Sequence, residues 1–486
     1  MYSNRSNRTE RRCTFSRGTG RVSITASVAG GREIRVPAPP ATAITIRPPV
    51  PKAGDEGEAD LLNRSIVHAL RRASCWTRAL TAGCIIALGL SALVPVTTAS
   101  ASQPSTSQAS AITAIVRNAM TTYQLRAVVV RVTEGNKVVL TRAFGTSVDG
   151  VPATTAMHFR NGAVAFAYVS TLLLEYVDEH KVSLNETVDH WLPSLPESNQ
   201  VTLKMLANQT TGYPDYETDP AWLAAFNNDP FHIFTYQERL QYAFARPLQF
   251  APGTNWSYAH TNFMILGKIL SMVGKAPLAT LLQRNVLGPM GLTQTVASNT
   301  SSIPNPVLHS FSSERRVAIG IPSGSPFYEE STFWNASWGT PVGASETTNI
   351  DDMAKTAVKV GTGSLLTKSS YHAMTDPNLL GFGQKQADCV PSCFTQIPGY
   401  NYGLGVVRSG SWILQNPLLG GYSATEAYLP SKRISIAVVT TFKPGAFDCQ
   451  GNYANSSDVL FRMIGASVAP TSAPPKTAAP PPTGCT

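Results

Sequence analysis

The chain has 486 residues, enough to bury a large core in one two-lobed domain or in two ordinary ones. Its net charge of +9 is local: residues 1–101 hold 14 Lys and Arg against 6 Asp and Glu, leaving 25 against 24 in the rest. The body is therefore close to neutral, which excludes a nucleic-acid partner.

Residues 1–64 mix Arg, Ser, Thr, Gly and Pro without apolar periodicity and are expected to be disordered. Within 65–101 the pattern changes. Arg71, Arg72 and Arg78 precede an uncharged apolar run from Ala79 to Val94, and Ala99-Ser100-Ala101 follows. A basic segment, an apolar segment and small residues in that order read as a secretory signal. Such a signal begins close to its basic segment, so Val67 is the expected initiator. The rival is an uncleaved anchor over 79–94, the one membrane association expected. Leu80-Thr81-Ala82-Gly83-Cys84 resembles a lipoprotein box but stands before the apolar run instead of closing it. Cys13, Cys75 and Cys84 fall in the leader; Cys389, Cys393, Cys449 and Cys485 remain, an even number with three possible pairings. Closing Cys389 on Cys393 would leave Cys449 for Cys485. No histidine neighbours them at ligand spacing, so neither zinc nor another cofactor is expected.

Residues 102–110 read as a linker, followed by a helix from Ala111 to Tyr123. Strands are expected at 126–132 and 137–144, joined by a hairpin at Glu134-Gly135-Asn136. The stretch Phe159 to Leu174 is a strand-to-helix turn and then a helix, expected to reach about His180, that is apolar nearly all round. Such a helix has to be buried on every side. Helices and polar loops alternate to about Leu287, punctuated at Pro193, Pro214, Pro252-Gly253 and Pro289. Strand patterns return at 402–408, 412–415, 425–429 and 434–441, a helix is expected over 452–464, and 467–486 is a flexible Pro-rich tail. The fold class implied is α/β (α+β): a mostly antiparallel sheet built from N- and C-terminal parts, flanked by helices, with an inserted helical lobe.

Seven stretches in this order resemble one family. They are Gly145 with Phe159-Arg160-x-Gly162; Lys181-Val-Ser-Leu184; Val201-Thr-Leu-Lys-Met-Leu206; Thr211-Gly212-Tyr-Pro-Asp-Tyr216, to which it leads; Pro252-Gly253-Thr254-x-Trp256-x-Tyr258; Gly288-Pro-Met-Gly-Leu292; and Tyr428-Leu-Pro-Ser431. The domain from 111 to 466 is similar to the serine β-lactamase and D-alanyl-D-alanine peptidase family, in its class C-like branch of β-lactamase-related serine hydrolases. The resemblance implies a β-lactamase/transpeptidase-like fold. It also implies a nucleophile in Ser-x-x-Lys at the start of the buried helix, a Tyr-x-Asn motif that relays the proton, and a third motif, Lys-Thr-Gly or His-x-Gly, on an edge strand.

Those positions are altered. Landmarks on both sides set the register, which puts Ala163 at the serine and Phe166 at the lysine. The second motif is Tyr258-Ala259-His260, and the third becomes Gln415-Asn416-Pro417. Alanine has no nucleophile and phenylalanine no proton to exchange. Tyr258 is a retained motif residue and His260 a weaker catalytic candidate. Pro417 has no N–H to donate, so on an edge strand it would oppose addition of a peptide as a new strand. Ser170 and Ser257 are the nearest serines, neither with Lys at i+3; no Gly-x-Ser-x-Gly occurs; and His158, His190 and His232 are scattered.

The expected function is that of an exported family member, catalytically degenerate, acting as a binding or scaffold protein of the cell envelope. Its partner would be a peptidoglycan-derived peptide or a small ester or amide. The alternative is an active esterase, peptidase or β-lactamase-type enzyme with an unorthodox nucleophile or an activated water. A purely structural role would require side chains such as Phe166 to fill the cleft. The leader is checked by sequencing the N-terminus of protein recovered from expressing cells: Ser102 as first residue is expected, whereas retention of 79–94 identifies an anchor.

Overall fold

The computed structural model describes residues 106–476, apart from 298–299, 336, 338, 342–345, 377–378 and 390–391. The leader, the last ten residues and Cys485 lie outside the described residues. Helix α1 (Thr106–Thr122) precedes the hairpin β1 (Leu125–Glu134) and β2 (Lys137–Val148), and β3 (Val151–Pro152) folds back on β2. Strand β4 (Phe159–Arg160) leads into α2 (Val164–Asp178), followed by α3 (Leu203–Asn208), α4 (Pro220–Asn228), α5 (Tyr236–Ala243), α6 (His260–Val273) and α7 (Leu278–Leu282). The short strands β5 (Phe311–Ser312), β6 (Glu329–Glu330) and β7 (Thr347–Thr348) come next, then α8 (Ile350–Gly361) and α9 (Lys368–Thr375). The chain closes with β8 (Asn401–Tyr402), β9 (Val407–Ser409), β10 (Trp412–Gln415), β11 (Leu418–Leu419), β12 (Tyr422–Leu429), β13 (Ile434–Phe442) and α10 (Ser456–Val468).

The main sheet runs β3-β2-β1-β13-β12-β10-β9-β8, antiparallel throughout, with β11 added to β12. The N-terminal hairpin and the C-terminal strands thus meet at the β1–β13 ladder, where Val130 faces Val438. Alternation along β1 decides which layer covers each face. Val128, Val130 and Val132 join α1 and α10 through Ile112, Val116, Leu460 and Phe461. Ala127 and Val129 point the other way, onto Ile350, Met353 and Ala354 of α8. With both faces covered, β13 is buried along its whole length.

Helix α2 is the centre of the second core. Every residue from Val164 to Leu174 is buried, as its apolar pattern requires, among side chains of α3, α6 and α7. Among the described residues no single helix is long and apolar enough to cross a membrane.

Several boundaries differ from the sequence expectation. Helix α1 takes in half of the supposed linker, since residues 106–110 contain no helix breaker. The strand expected over 402–408 is two short strands around a bend. Gly405, at φ +70°, lies so close to α2 that a Cβ there would meet the Phe166 carbonyl and the Ser170 hydroxyl. The last helix starts at Ser456 because Asn455 caps it, its side chain accepting from the Asp458 N–H at 3.2 Å. The start of the Pro-rich segment is docked: Trp412 Nε1 donates to the Ser472 carbonyl at 2.8 Å, and Arg462 Nη1 to that of Pro475 at 2.6 Å.

Because α2 is the core of its layer, Leu172→Ala is expected to cost about 2–5 kcal/mol of stability. Val138→Ala, at a 47 % exposed position of β2, should change it by no more than about 0.5 kcal/mol. Denaturant midpoints at unchanged slope check both.

Candidate functional site

The three altered motif positions come together. A cavity of about 260 Å³ is lined by Ala163, Tyr258, His260, Gln415, Asn416 and Pro417, with Gly162, Glu217, Gly339, Tyr400, Leu418 and Leu419 completing the wall. The space is open and partly polar, which argues against the purely structural role, since that role requires side chains to fill the cleft. Phe166 does not line it.

Ala163 stands at the N-cap of α2. Its position is set by the β4–β7 pair, in which Phe159 faces Thr348, and by the turn at Asn161-Gly162. Gly162 has φ +51°, and a Cβ on it would lie 2.8 Å from both Pro417 Cβ and Leu419 Cδ2. Only glycine lets the start of the helix approach the opposite wall so closely. One turn on, Phe166 is fully buried and stacked on Phe263 of α6, with ring centroids 4.0 Å apart and planes within 4°. The rings of Tyr258 and His260 lie 5.9 Å from it. Burying this ring contributes about 1.5–3 kcal/mol. An ammonium enclosed by the same aromatic rings would carry a desolvation penalty of several kcal/mol.

The third motif is structural in its contacts. Gln415 is buried and its Nε2 donates to the Gly405 carbonyl at 2.6 Å, tying β10 to the bend over α2. Asn416 Nδ2 donates to Asp458 Oδ1 at 3.1 Å, and the Asn416 carbonyl accepts from Asn455 Nδ2. The expected edge strand is internal: Ile413 of β10 pairs with Tyr428 of β12 on one side and Arg408 of β9 on the other. The β9 ladder ends at Leu414, so β10 is closed to peptide addition over residues 412–414, while Gln415 is laddered to Glu426 of β12 alone.

On the other wall His260, the weaker catalytic candidate, meets two carboxyl groups that the sequence did not single out, Asp215 and Glu217. His260 begins α6, with Nδ1 3.0 Å from Asp215 Oδ2 and 3.3 Å from Glu217 Oε2. The loop bearing the two acids is fastened to the start of α6. Tyr216 N–H donates to Thr261 Oγ1, Thr261 Oγ1 to the Pro214 carbonyl, and Thr211 Oγ1 to Asn262 Oδ1. Burial alone would lower the imidazole, but the charges of Glu217 and Asp215, with the hydrogen bond to Asp215, raise it to about 9. Burial pushes the Glu217 carboxyl up to about 8, opposed by His260. The ligand atoms of the three residues lie within 4.8 Å of one another, close enough to share a cation. Asp215 lies inside one of the family-like stretches and Glu217 just beyond it, and nothing in their spacing points to His260, more than forty residues away.

Tyr258 is held in its phenol form. Burial raises it well above the ordinary tyrosine value, reinforced by Tyr402, Tyr400, Glu217 and Asp215. It can donate a hydrogen bond but not accept a proton near neutral pH. The other serines do not reach the cavity: Ser170 is buried under Gly405, and Ser257 is buried in a bridge to Cys393. His158 pairs with Gln294, His190 with Glu186 and His232 with Glu238, all away from the cavity. Cys389 and Cys393 form a disulfide, and Cys449 is disulfide-bonded as well.

In the native state both His260 and Glu217 hold protons more tightly than in the unfolded chain. Their contribution to stability is therefore present at low pH and is lost as pH rises through about 8 and 9. An NMR titration of the His260 ring is expected to give a midpoint near 9, falling in Glu217→Gln because the stronger of its two charge partners is gone. An unchanged midpoint would refute the assignment.

Comparison with known proteins gives the lineage. Residues 112–459 match the family described as Beta-lactamase. Penicillin-binding protein 4* of Bacillus subtilis is 26% identical over 182 residues, 36% of this chain and 39% of that protein. The D-aminopeptidase of Gluconobacter oxydans is 25% identical over 300 residues, 60% of this chain and 50% of that one. The chain thus spans half or less of the length of these relatives. Among solved structures, the D-amino acid amidase of Ochrobactrum anthropi complexed with D-phenylalanine superimposes with a TM-score of 0.61 at 18% identity, covering 75% of this chain and 99% of that one. That likeness is one of fold, a mostly antiparallel sheet flanked by helices. With well over half of its length matched, the chain belongs to the beta-lactamase family.

Proposed function

We propose that this chain is an exported family member that no longer forms an acyl-enzyme and instead holds a small amide, amino acid or short peptide in its cleft, as a binding or scaffold protein of the cell envelope. The observation that carries the reading is the first turn of α2, where Ala163 offers a methyl group to the cavity and Phe166 stacks on Phe263. Loss of a catalytic serine alone costs on the order of 10⁶ in turnover. The open cavity supports retained binding: His260 presents charge and Glu217 a carboxyl on one wall, and Tyr258 a hydroxyl that can donate. Its small volume suits a ligand the size of one or two amino-acid residues, in keeping with the D-phenylalanine complex of the structurally similar amidase. The disulfide between Cys389 and Cys393 supports passage through an oxidising compartment.

Hydrolysis by a water activated at His260 or Tyr258 is disfavoured, because both groups keep their protons at neutral pH. A fluorescent penicillin and a fluorophosphonate probe are expected to label neither the wild type nor Ala163→Ser, whose new hydroxyl would have a phenyl ring where a base is needed. Stoichiometric labelling of the wild type at any serine would overturn the reading. Calorimetric titration with phenylalanine amide should show saturable binding, weakened about tenfold or more in His260→Ala.

A further inference from the structure

A second cavity, of about 610 Å³, lies in the elbow between α6 and the helical segment beginning with α7, whose axes bend by 76°. From α6 it takes Met264, Gly267, Lys268 and Ser271, which follow an i, i+3, i+4, i+7 pattern and so form one helix face. Phe234, Pro277, Leu278 and Ala279 are among the remaining apolar lining residues. None of these residues lines the first cavity. Its size is within the range of about 300–1,000 Å³ typical of small-molecule sites. Ile233 on its rim is 56 % exposed and nearby Phe231 is 59 % exposed, so apolar surface extends from the interior to solvent.

Lys268 is the one charged side chain among the described lining residues. It is solvent-exposed, its ammonium lies 5.9 Å from the centre of the Tyr236 ring, and among the described residues it has no carboxylate partner. An apolar chamber with a single cation at its mouth complements a molecule with one long alkyl chain and one anionic head. Each methylene removed from water contributes about 0.8 kcal/mol, and a carboxylate on the ammonium adds a charge-assisted hydrogen bond.

We propose that this cavity binds a fatty acid, its alkyl chain between α6 and α7 and its carboxylate on Lys268. The test is displacement of a fluorescent polyene fatty acid by palmitate on the intact protein, with 1-hexadecanol as the uncharged counterpart. Saturable binding at one site is expected. Lys268→Gln should weaken palmitate about tenfold and leave 1-hexadecanol unchanged. Ala279→Trp, which puts an indole into the cavity, should abolish binding of both. The proposal is overturned if the wild type does not bind palmitate, if Lys268→Gln binds it as tightly as the wild type, or if folded Ala279→Trp retains it. Lys268 is exposed, so its variant keeps the test decisive even where Ala279→Trp fails to fold, as circular dichroism would show.

Discussion

The stacking of Phe166 on Phe263 is the contact on which the rest of the site depends. It joins the first turn of α2 to the first turn of α6, the two helix ends that converge on the cavity. Because α2 is buried on all sides, whatever occupies this position has to be compatible with a dry environment. An ammonium there would need a hydroxyl, a phenolate or a carboxylate to offset its desolvation. A phenyl ring needs only another ring, and α6 supplies it. Once the ring is in place, Ala163 can be small and inert, and Tyr258 has no ammonium on the α2 side to draw off its proton.

The polar capacity of the site has moved to the opposite wall. His260 stands where the family carries an amide side chain, and it is tied to Asp215 and Glu217 on a loop that hydrogen bonds weld to α6. Two carboxylates close together repel, and the imidazolium between them relieves the repulsion by holding its proton beyond neutral pH. A group in that state carries charge and can donate a hydrogen bond, and it is a poor proton acceptor near neutral pH. The third-motif positions tell the same story from the sheet side, since Gln415 and Asn416 use their amides to hold β10 to the bend over α2 and to α10.

Legibility in the sequence varied with the range of the forces involved. The β1–β2 hairpin, β10, β13 and α2 could be read from periodicity, because burial of one or both faces imposes a pattern on consecutive residues. The break between β8 and β9 could not, since it comes from Gly405 passing over α2 more than two hundred residues earlier in the chain. The internal placement of β10 likewise depends on β9 pairing with it, which no local pattern announces. Glu217 was missed for the same reason: a lone acidic residue after a motif is ordinary until the fold sets an imidazole 3.3 Å away.

The amino-acid sequence by itself determined the lineage, the sheet-and-helix architecture, the central burial of α2 and the absence of a nucleophile at Ala163, because these follow from side-chain chemistry and short-range periodicity. Only the tertiary structure decided that the space beside Ala163 stays open, that Phe166 turns away from it onto Phe263, and that Asp215, Glu217 and His260 share one proton-rich cluster. It also decided that α6 and α7 bend around a second, apolar cavity with Lys268 at its mouth. These outcomes depend on packing between segments far apart in the chain, where distances of 3 to 6 Å set the electrostatics and the free volume, and neither is written in the order of residues alone.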